Sequence, residues 1–422
     1  MRKFWRRLRG FPSPLPLLFI VVGTIVVILY GRGYRPDLTD NSIKSTGLLS
    51  ATSDPVGAQV YVDGQLKTAT NNPINVGPGW YTVRITKEGY IPWEKRLRVQ
   101  GEVVTRADAF LFPANPSLSP ITNTGIENPL LSPDGTKIAY TIPASSVESR
   151  RSGLWVYDMV DRPLGLNRDP RQLGISEVNF NFATSTLTWS PDSTQLMVNT
   201  GTQVRLYNAN RTGDYQDVSA SYTFILKEWN GIKTQRLNQQ LATFKQGVID
   251  IATSSAKIIS LSPDETKILY EATASATIPL IIDPPQIGTN PIEEQRTIEP
   301  GKLYVYDSKE DKNYFVFDTK EIAQTASPSP TPRGTTRPTT SPIPQTALLP
   351  VSWFPTNRHL VLTLPGKIDI IEYDRTNWVT VYSGPFEKGF MATWPNTSRI
   401  IVLINLNPGV STLPNLYTVN LR

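Results

Sequence analysis

One turn-and-strand unit returns five times in this 422-residue chain: LLSPDGTKIAYTI from Leu130, TWSPDSTQLMVNT from Thr188, SLSPDETKILYEA from Ser260, SWFPTNRHLVLTL from Ser352 and TWPNTSRIIVLI from Thr393. In each copy an apolar or aromatic residue (Leu131, Trp189, Leu261, Trp353, Trp394) closes one strand. Proline then takes a turn position that suits its fixed φ, and an apolar alternation of period two follows. A second strand comes after each: LWVYD at Leu154, VRLYN at Val204, LYVYD at Leu303, IDIIEYD at Ile368 and LYTVN at Leu416. A hairpin pair cannot bury its faces alone, so similar units must cover one another.

Four-stranded blades stacked radially satisfy that demand without leaving long exposed edges. Residues 117–422 therefore predict a β-propeller of about five to six blades, in an all-β fold that carries one inserted helix. The SPDG-type turns and their alternating strands resemble the TolB-like and WD40-like propeller families, a resemblance that implies fold and not ligand. Pro133, Pro191, Pro263, Pro355 and Pro395 stand 58, 72, 92 and 40 residues apart, whereas WD40 repeats run ~40–45, so several units carry insertions. In one insertion Leu237, Leu241, Phe244, Val248 and Ile251 step by 4, 3, 4 and 3, which predicts a helix across about 233–252 serving as cover on the blades. In another, residues 323–347 hold 6 Pro, 7 Thr and 3 Ser among 25 residues and no aromatic. Such a segment cannot offset its ordering entropy and predicts a disordered loop. After Trp394 only enough chain remains for three strands of the last blade. Ser117–Thr122 has no partner upstream and is predicted to supply its outer strand.

Ahead of the array, residues 47–113 read as short alternating runs broken by Gly, Pro, Asn and Asp, the pattern of a small β-sandwich. Val60 and Val62 lead into Asp63-Gly64, a pair suited to a tight hairpin because both positions accept φ > 0. At Pro55, Gly57, Ala58, Val60, Val62, Asp63, Gly64, Pro73, Pro78, Gly79, Tyr81, Val83, Gly89 and Tyr90 the segment resembles the PEGA domain family. It departs at Val56, where the family often has Glu, and at Lys67–Asn72, where the approach to Pro73 lacks the usual Gly. The resemblance implies an extracytoplasmic sandwich of surface proteins with no assigned catalytic residues. Tyr61, Trp80, Tyr90 and Trp93 are the candidate ligand-contact aromatics, able to stack on a glycan; core or edge packing is the competing role and the one that the pattern favours.

The N-terminal segment sets location. Gly10–Gly31 carries no charge, and Leu15–Tyr30 reads LPLLFIVVGTIVVILY, with Arg2, Lys3, Arg6, Arg7 and Arg9 on one side. About 20 helical residues cross a ~30 Å hydrocarbon layer, and the basic side stays inside. The expectation is a basic cytoplasmic leader over 1–13, a single-pass transmembrane anchor over 14–31, a tether over 32–46 and an extracytoplasmic body. A cleaved signal peptide is disfavoured because no small-residue site follows Tyr30.

The charge balance of +6 belongs to this leader. Seven of the 42 basic residues precede Asp37, leaving 35 against 36 acids, so no nucleic-acid partner is expected. With no Cys and only His359, thiolate sites, multi-histidine metal sites and ordinary His-dependent dyads are disfavoured. His359 itself, beside Arg358, reads as a surface residue. Asp134, Asp192 and Asp264 recur at one turn position, where the expected role is to cap local backbone N–H groups rather than to bind metal. No catalytic, metal or cofactor residues are assigned. The sequence as far as Arg422 carries no hydrolase domain, so a binding or scaffolding protein of the envelope, non-enzymatic and engaging a protein or surface glycan, is the expectation. The alternative is a propeller enzyme (hydrolase or lyase) acting on surface glycan or peptide.

Overall fold

The computed structural model describes residues 14–31, 34–37, 42–144, 150–161, 169–320, 351–409 and 413–422. The expectations for the leader at 1–13 and for the loop at 323–347 lie outside these residues. Helix α1 (Pro14–Gly31) is followed by strands β1 (Tyr34–Asp37) and β2 (Ser42–Ser45), which pair antiparallel. Within the expected tether, residues 34–37 and 42–45 thus pair with each other. Among the described residues no helix is long and apolar enough to cross a membrane.

Period-two alternation builds the next unit. Strand β3 (Gly47–Asp54) buries every second residue, and so do the C-terminal half of β7 (Gly79–Thr86) and β8 (Trp93–Val99). With β4 (Gln59–Val62), β5 (Gln65–Ala69), β6 (Ile74–Val76) and β9 (Val104–Phe110) they form two sheets, β6-β3-β9 and β5-β4-β7-β8. Strands β3 and β9 run parallel, from Leu48 opposite Val104 to Asp54 opposite Phe110. Asp63 and Gly64 take φ of 47° and 77° in the β4–β5 turn, the left-handed pair expected of a tight hairpin. Leu49, Val60, Val83, Ile85, Trp93 and Leu97 fill the core, each contributing about 1.5–3 kcal/mol of burial. The compact unit comprises residues up to Leu111 together with Pro284–Ile292, where the Gly288 N–H donates to Gln100 Oε1 at 3.0 Å.

The second unit comprises Phe112–Asp283 and Glu293–Arg422. It opens with β10 (Ser117–Pro120) and continues as four-stranded antiparallel meanders. The first is β11 (Glu127–Leu131), β12 (Lys137–Ile142), β13 (Gly153–Asp158) and β14 (Arg171–Ile175); the second is β15 (Thr186–Trp189), β16 (Gln195–Asn199), β17 (Val204–Asn208) and β18 (Tyr215–Asp217). Helices α2 (Tyr222–Leu241) and α3 (Gln246–Ser254) follow. The single helix expected over 233–252 is therefore two, beginning earlier and broken at Ala242–Lys245. Trp229 of α2 packs with Met197, Val204 and Val218, and Val248 of α3 packs with Ile268 and Tyr270.

The third meander is β19 (Ala256–Leu261), β20 (Lys267–Ala272), β23 (Lys302–Asp307) and β24 (Lys312–Asp318), interrupted by the small pair β21 (Ala276–Thr277) and β22 (Thr297–Ile298). The fourth is β25 (Val351–Trp353), β26 (His359–Leu364), β27 (Lys367–Glu372) and β28 (Val379–Ser383). The fifth holds β29 (Met391–Thr393), β30 (Arg399–Ile404) and β31 (Asn415–Asn420), and its outer place is taken by β10. Ser117 lies opposite Asn420 and Pro120 opposite Tyr417, so the expected outer strand of the last sheet is in place. Its proline sits on an edge, where no ladder N–H is missed.

Neighbouring sheets meet through large side chains. Tyr157 of the first sheet packs edge-on to Trp394 of the fifth. Leu154 and Val156 share a cluster with Trp189, Leu196 and Tyr207 of the second, and Tyr314 of the third meets Tyr373 of the fourth. His359 is buried at 2% exposure, with its ring edge-on to Phe112 and Phe354 and its Nδ1 2.7 Å from Thr356 Oγ1. The surface role expected for it is corrected: it opens β26, a strand whose first four residues are all buried.

Candidate ligand-binding face

Strand register decides what the four sequence-predicted aromatics can do. Ile85 on β7 lies opposite Trp93 on β8; both point inward, and Trp93 is 4% exposed within the core. Tyr90 packs against the same core from the β7–β8 connection. The pleat that hides Val83 and Leu97 hides Trp93 too, whereas Tyr90 lies between the strands and is only partly buried.

Tyr61 and Trp80 occupy the other side of the pleat. Tyr61 lies opposite Arg84, and Trp80 opposite Arg98. Two residues further along, Thr82 faces Arg96, and Arg84 faces Glu94. The outward side of β4, β7 and β8 thus presents two aromatics, three arginines and one glutamate, a net of two positive charges from three minus one. Trp80 is 47% exposed. The Arg96 guanidinium sits 5.2 Å from its ring centroid, within cation–π range. Arg84 and Glu94 approach at 3.9 Å with both side chains more than half exposed, a pair too solvated to cancel the face's charge. Alternate residues on a strand stand ~6.8 Å apart, so Arg96 and Arg98 form a row of forked donors beside an indole plane. Such a row can grip successive carboxylates or phosphates while the ring stacks on an apolar ligand surface.

Sequence reading found the aromatics and missed the arginines. The signal was present in YTVRIT and WEKRLRV, where Tyr81, Val83, Ile85, Trp93, Leu97 and Val99 mark one side of the pleat and the arginines at 84, 96 and 98 fall on the other.

The recurring aspartates of the second unit have the structural role expected of them. Ser132, Ser190 and Ser262 hydroxyls donate to Asp134, Asp192 and Asp264 Oδ1 at 2.5, 2.6 and 2.6 Å. The N–H groups of Thr136, Thr194 and Thr266 donate to the same oxygens. Burial alone would raise these carboxyls, yet the serine and threonine donors outweigh it and hold all three below the ordinary aspartate value. Among the described residues no group of three or more acidic or histidine side chains could hold a metal ion.

Residues 46–115 match the family model described as PEGA domain. No curated protein matches the sequence. Among solved structures the chain is similar to a TolB-type protein of Agrobacterium tumefaciens, at 10% identity and a TM-score of 0.20, covering 68% of this chain and 76% of that one. It is also similar to TolB from Acinetobacter baumannii, at 12% identity and a TM-score of 0.20, covering 81% of this chain and 59% of that one.

Proposed function

We propose that this chain is a non-catalytic binding or scaffolding protein of the cell envelope, held by its N-terminal helix with its β units outside the cytoplasm, and that the outward face of Tyr61, Trp80, Arg84, Arg96 and Arg98 takes an anionic surface glycan. The observation that carries the reading is that face, where a half-exposed indole and three arginines stand with a single acid among them. For the anchor, the support is that Leu17, Leu18, Phe19, Ile20 and Val27 of α1 are all 60% or more exposed, and a helix apolar all round has no stable place in water. Its 18 residues rise ~27 Å, a few ångström short of a ~30 Å hydrocarbon layer, a mismatch that bilayers absorb by thinning. On this reading the five meanders are the blades of one ring, fastened by β10.

The test is retention of the full chain, in detergent, on immobilised polygalacturonate and on neutral dextran. Retention on the polyuronate alone, lost on raising salt and reduced about tenfold or more in an Arg96→Gln/Arg98→Gln variant, is the expected result. Equal retention on both supports would overturn the reading. Location is checked separately: protease added to intact spheroplasts should digest residues 36–422, and protection of that body would refute the proposed topology.

A further inference from the structure

A cleft of about 560 Å³ lies where the first and fifth sheets of the second unit meet. Its lining includes Ser117 and Ser119 of β10, Asn420 of β31, Ser398 and Arg399 at the start of β30, and Tyr157 of β13. The volume falls in the range of small-molecule sites.

The chemistry of the lining is lopsided toward donors. Asn420 Nδ2 donates to Ser117 Oγ at 3.0 Å and to Ser119 Oγ at 3.1 Å. Each of those hydroxyls therefore accepts, and keeps its own proton to give. Ser398 Oγ is buried with no hydrogen-bond partner among the described residues, a condition that costs folding free energy and calls for an explanation. Arg399 lies 4.9 Å over the Trp394 ring and, among the described residues, forms no ion pair with a carboxylate. Burial keeps the Tyr157 phenol protonated by raising its pKa, against the lowering influence of Arg399 and with Asp161 adding to the rise. Arg422 also lines the cleft, and its Nη2 donates to Thr397 Oγ1 at 3.0 Å. Asp169, exposed at the margin, is the acid of the lining.

We propose that this cleft is a binding site for a carboxylate-bearing sugar of hexuronate type, with the carboxylate taken by Arg399 and the Ser398, Ser117 and Ser119 hydroxyls. Asp169 then accepts from ring hydroxyls, which a simple inorganic anion does not carry. A free phosphate would also fill only a small part of the volume. Because β10, β30 and β31 all contribute, an occupant ties the closing strand to the sheet that it completes.

The experiment is isothermal titration of the full chain in detergent with galacturonate, galactose and inorganic phosphate. Galacturonate should bind saturably at one site, with galactose and phosphate weaker by about tenfold or more, the worth of a charge-assisted contact. Arg399→Gln and Ser398→Ala should each weaken galacturonate, and Ser398→Ala should leave the melting temperature of the unliganded protein unchanged or higher, since it removes a buried orphan hydroxyl. Weakened galacturonate binding in Arg399→Gln and Ser398→Ala, both changes within the second unit, separates this site from the sandwich face. Should Arg399→Gln fail to fold, Ser398→Ala and Ser119→Ala decide. Equal binding of galactose, absence of saturable binding, or folded variants with parental affinity would each overturn the proposal.

Discussion

The backbone N–H of Asp134 donates to the Ser193 hydroxyl at 3.1 Å, joining the turn of the first sheet to the turn of the second. The same two repeat positions meet again where the Asp264 N–H donates to Asn357 Oδ1 at 3.0 Å. The acceptors are the left-handed residues of their turns: Ser193 has φ of 60° and Asn357 of 62°, and Gly135, Glu265 and Thr397 take the same conformation in the other copies. One residue thus bends its own hairpin and fastens the neighbouring one.

That dual role separates two substitutions at Asn357. Asn357→Ala loses the inter-sheet bond and places a poorly suited side chain at positive φ, so it should cost about 1.5–3 kcal/mol in urea unfolding. Asn357→Gly loses the bond alone and should cost about 0.5–1.5 kcal/mol. Equal costs would show that the bond carries the whole effect.

The turn aspartates make stability depend on acid. Asp134, Asp192 and Asp264 are held below the ordinary aspartate value in the folded chain, so the unfolded chain takes up protons first as pH falls. Their stabilisation is fully present above the unfolded value, ~3.9, and is lost as pH drops through the lower folded values. Urea midpoints measured from pH 7 to pH 2.5 should decline on the acid side. Replacing all three by Asn should lower the midpoint at pH 7 and flatten that decline; an unchanged acid slope would count against the assignment.

What could be read from the residues alone follows from how local each signal is. The five turns were legible because Pro, Asp and a period-two strand act within a dozen residues, and the place of Ser117–Pro120 at the edge of the fifth sheet followed from a strand count. The break between α2 and α3 was not, since Leu241, Phe244 and Val248 keep helical spacing across it while Phe244 N–H bonds back to Leu241 O. Trp93 could not be separated from Trp80 without knowing which residues of β7 and β8 stand opposite. His359 was misplaced because its burial rests on Phe112, far away in sequence.

The two tryptophans of the sandwich should therefore behave oppositely. Trp93→Ala empties a core position and should cost about 3–5 kcal/mol, whereas Trp80→Ala, on the solvent face, should change stability by less than about 1 kcal/mol while weakening retention on polygalacturonate. Chemical unfolding of both variants checks the first statement, and the same affinity support checks the second.

The edge strand β10 joins the two ends of the second unit. Strand β31 is held on one side by β30 and on the other by β10, and the contacts to β10 span about 300 residues of chain, as between Asn420 Nδ2 and Ser117 Oγ. Beyond the ladder, Ile121 N–H donates to Leu416 O at 2.8 Å and Ile126 N–H to Pro414 O at 2.8 Å, while Thr122 Oγ1 accepts from the Leu416 N–H at 2.9 Å. These bonds form only when both ends of the unit are folded, so they cannot stabilise either end alone. Deleting 117–120 uncovers the edge of β31, and an uncovered edge is a template for another chain. The deletion variant should show a lower melting temperature and concentration-dependent association by light scattering. In the intact protein, the amides of Ile121 and Leu416 should exchange with solvent no faster than amides in the centre of β30. Fast exchange at both positions in a chain that is otherwise protected would mean that the fifth sheet is not held shut by β10.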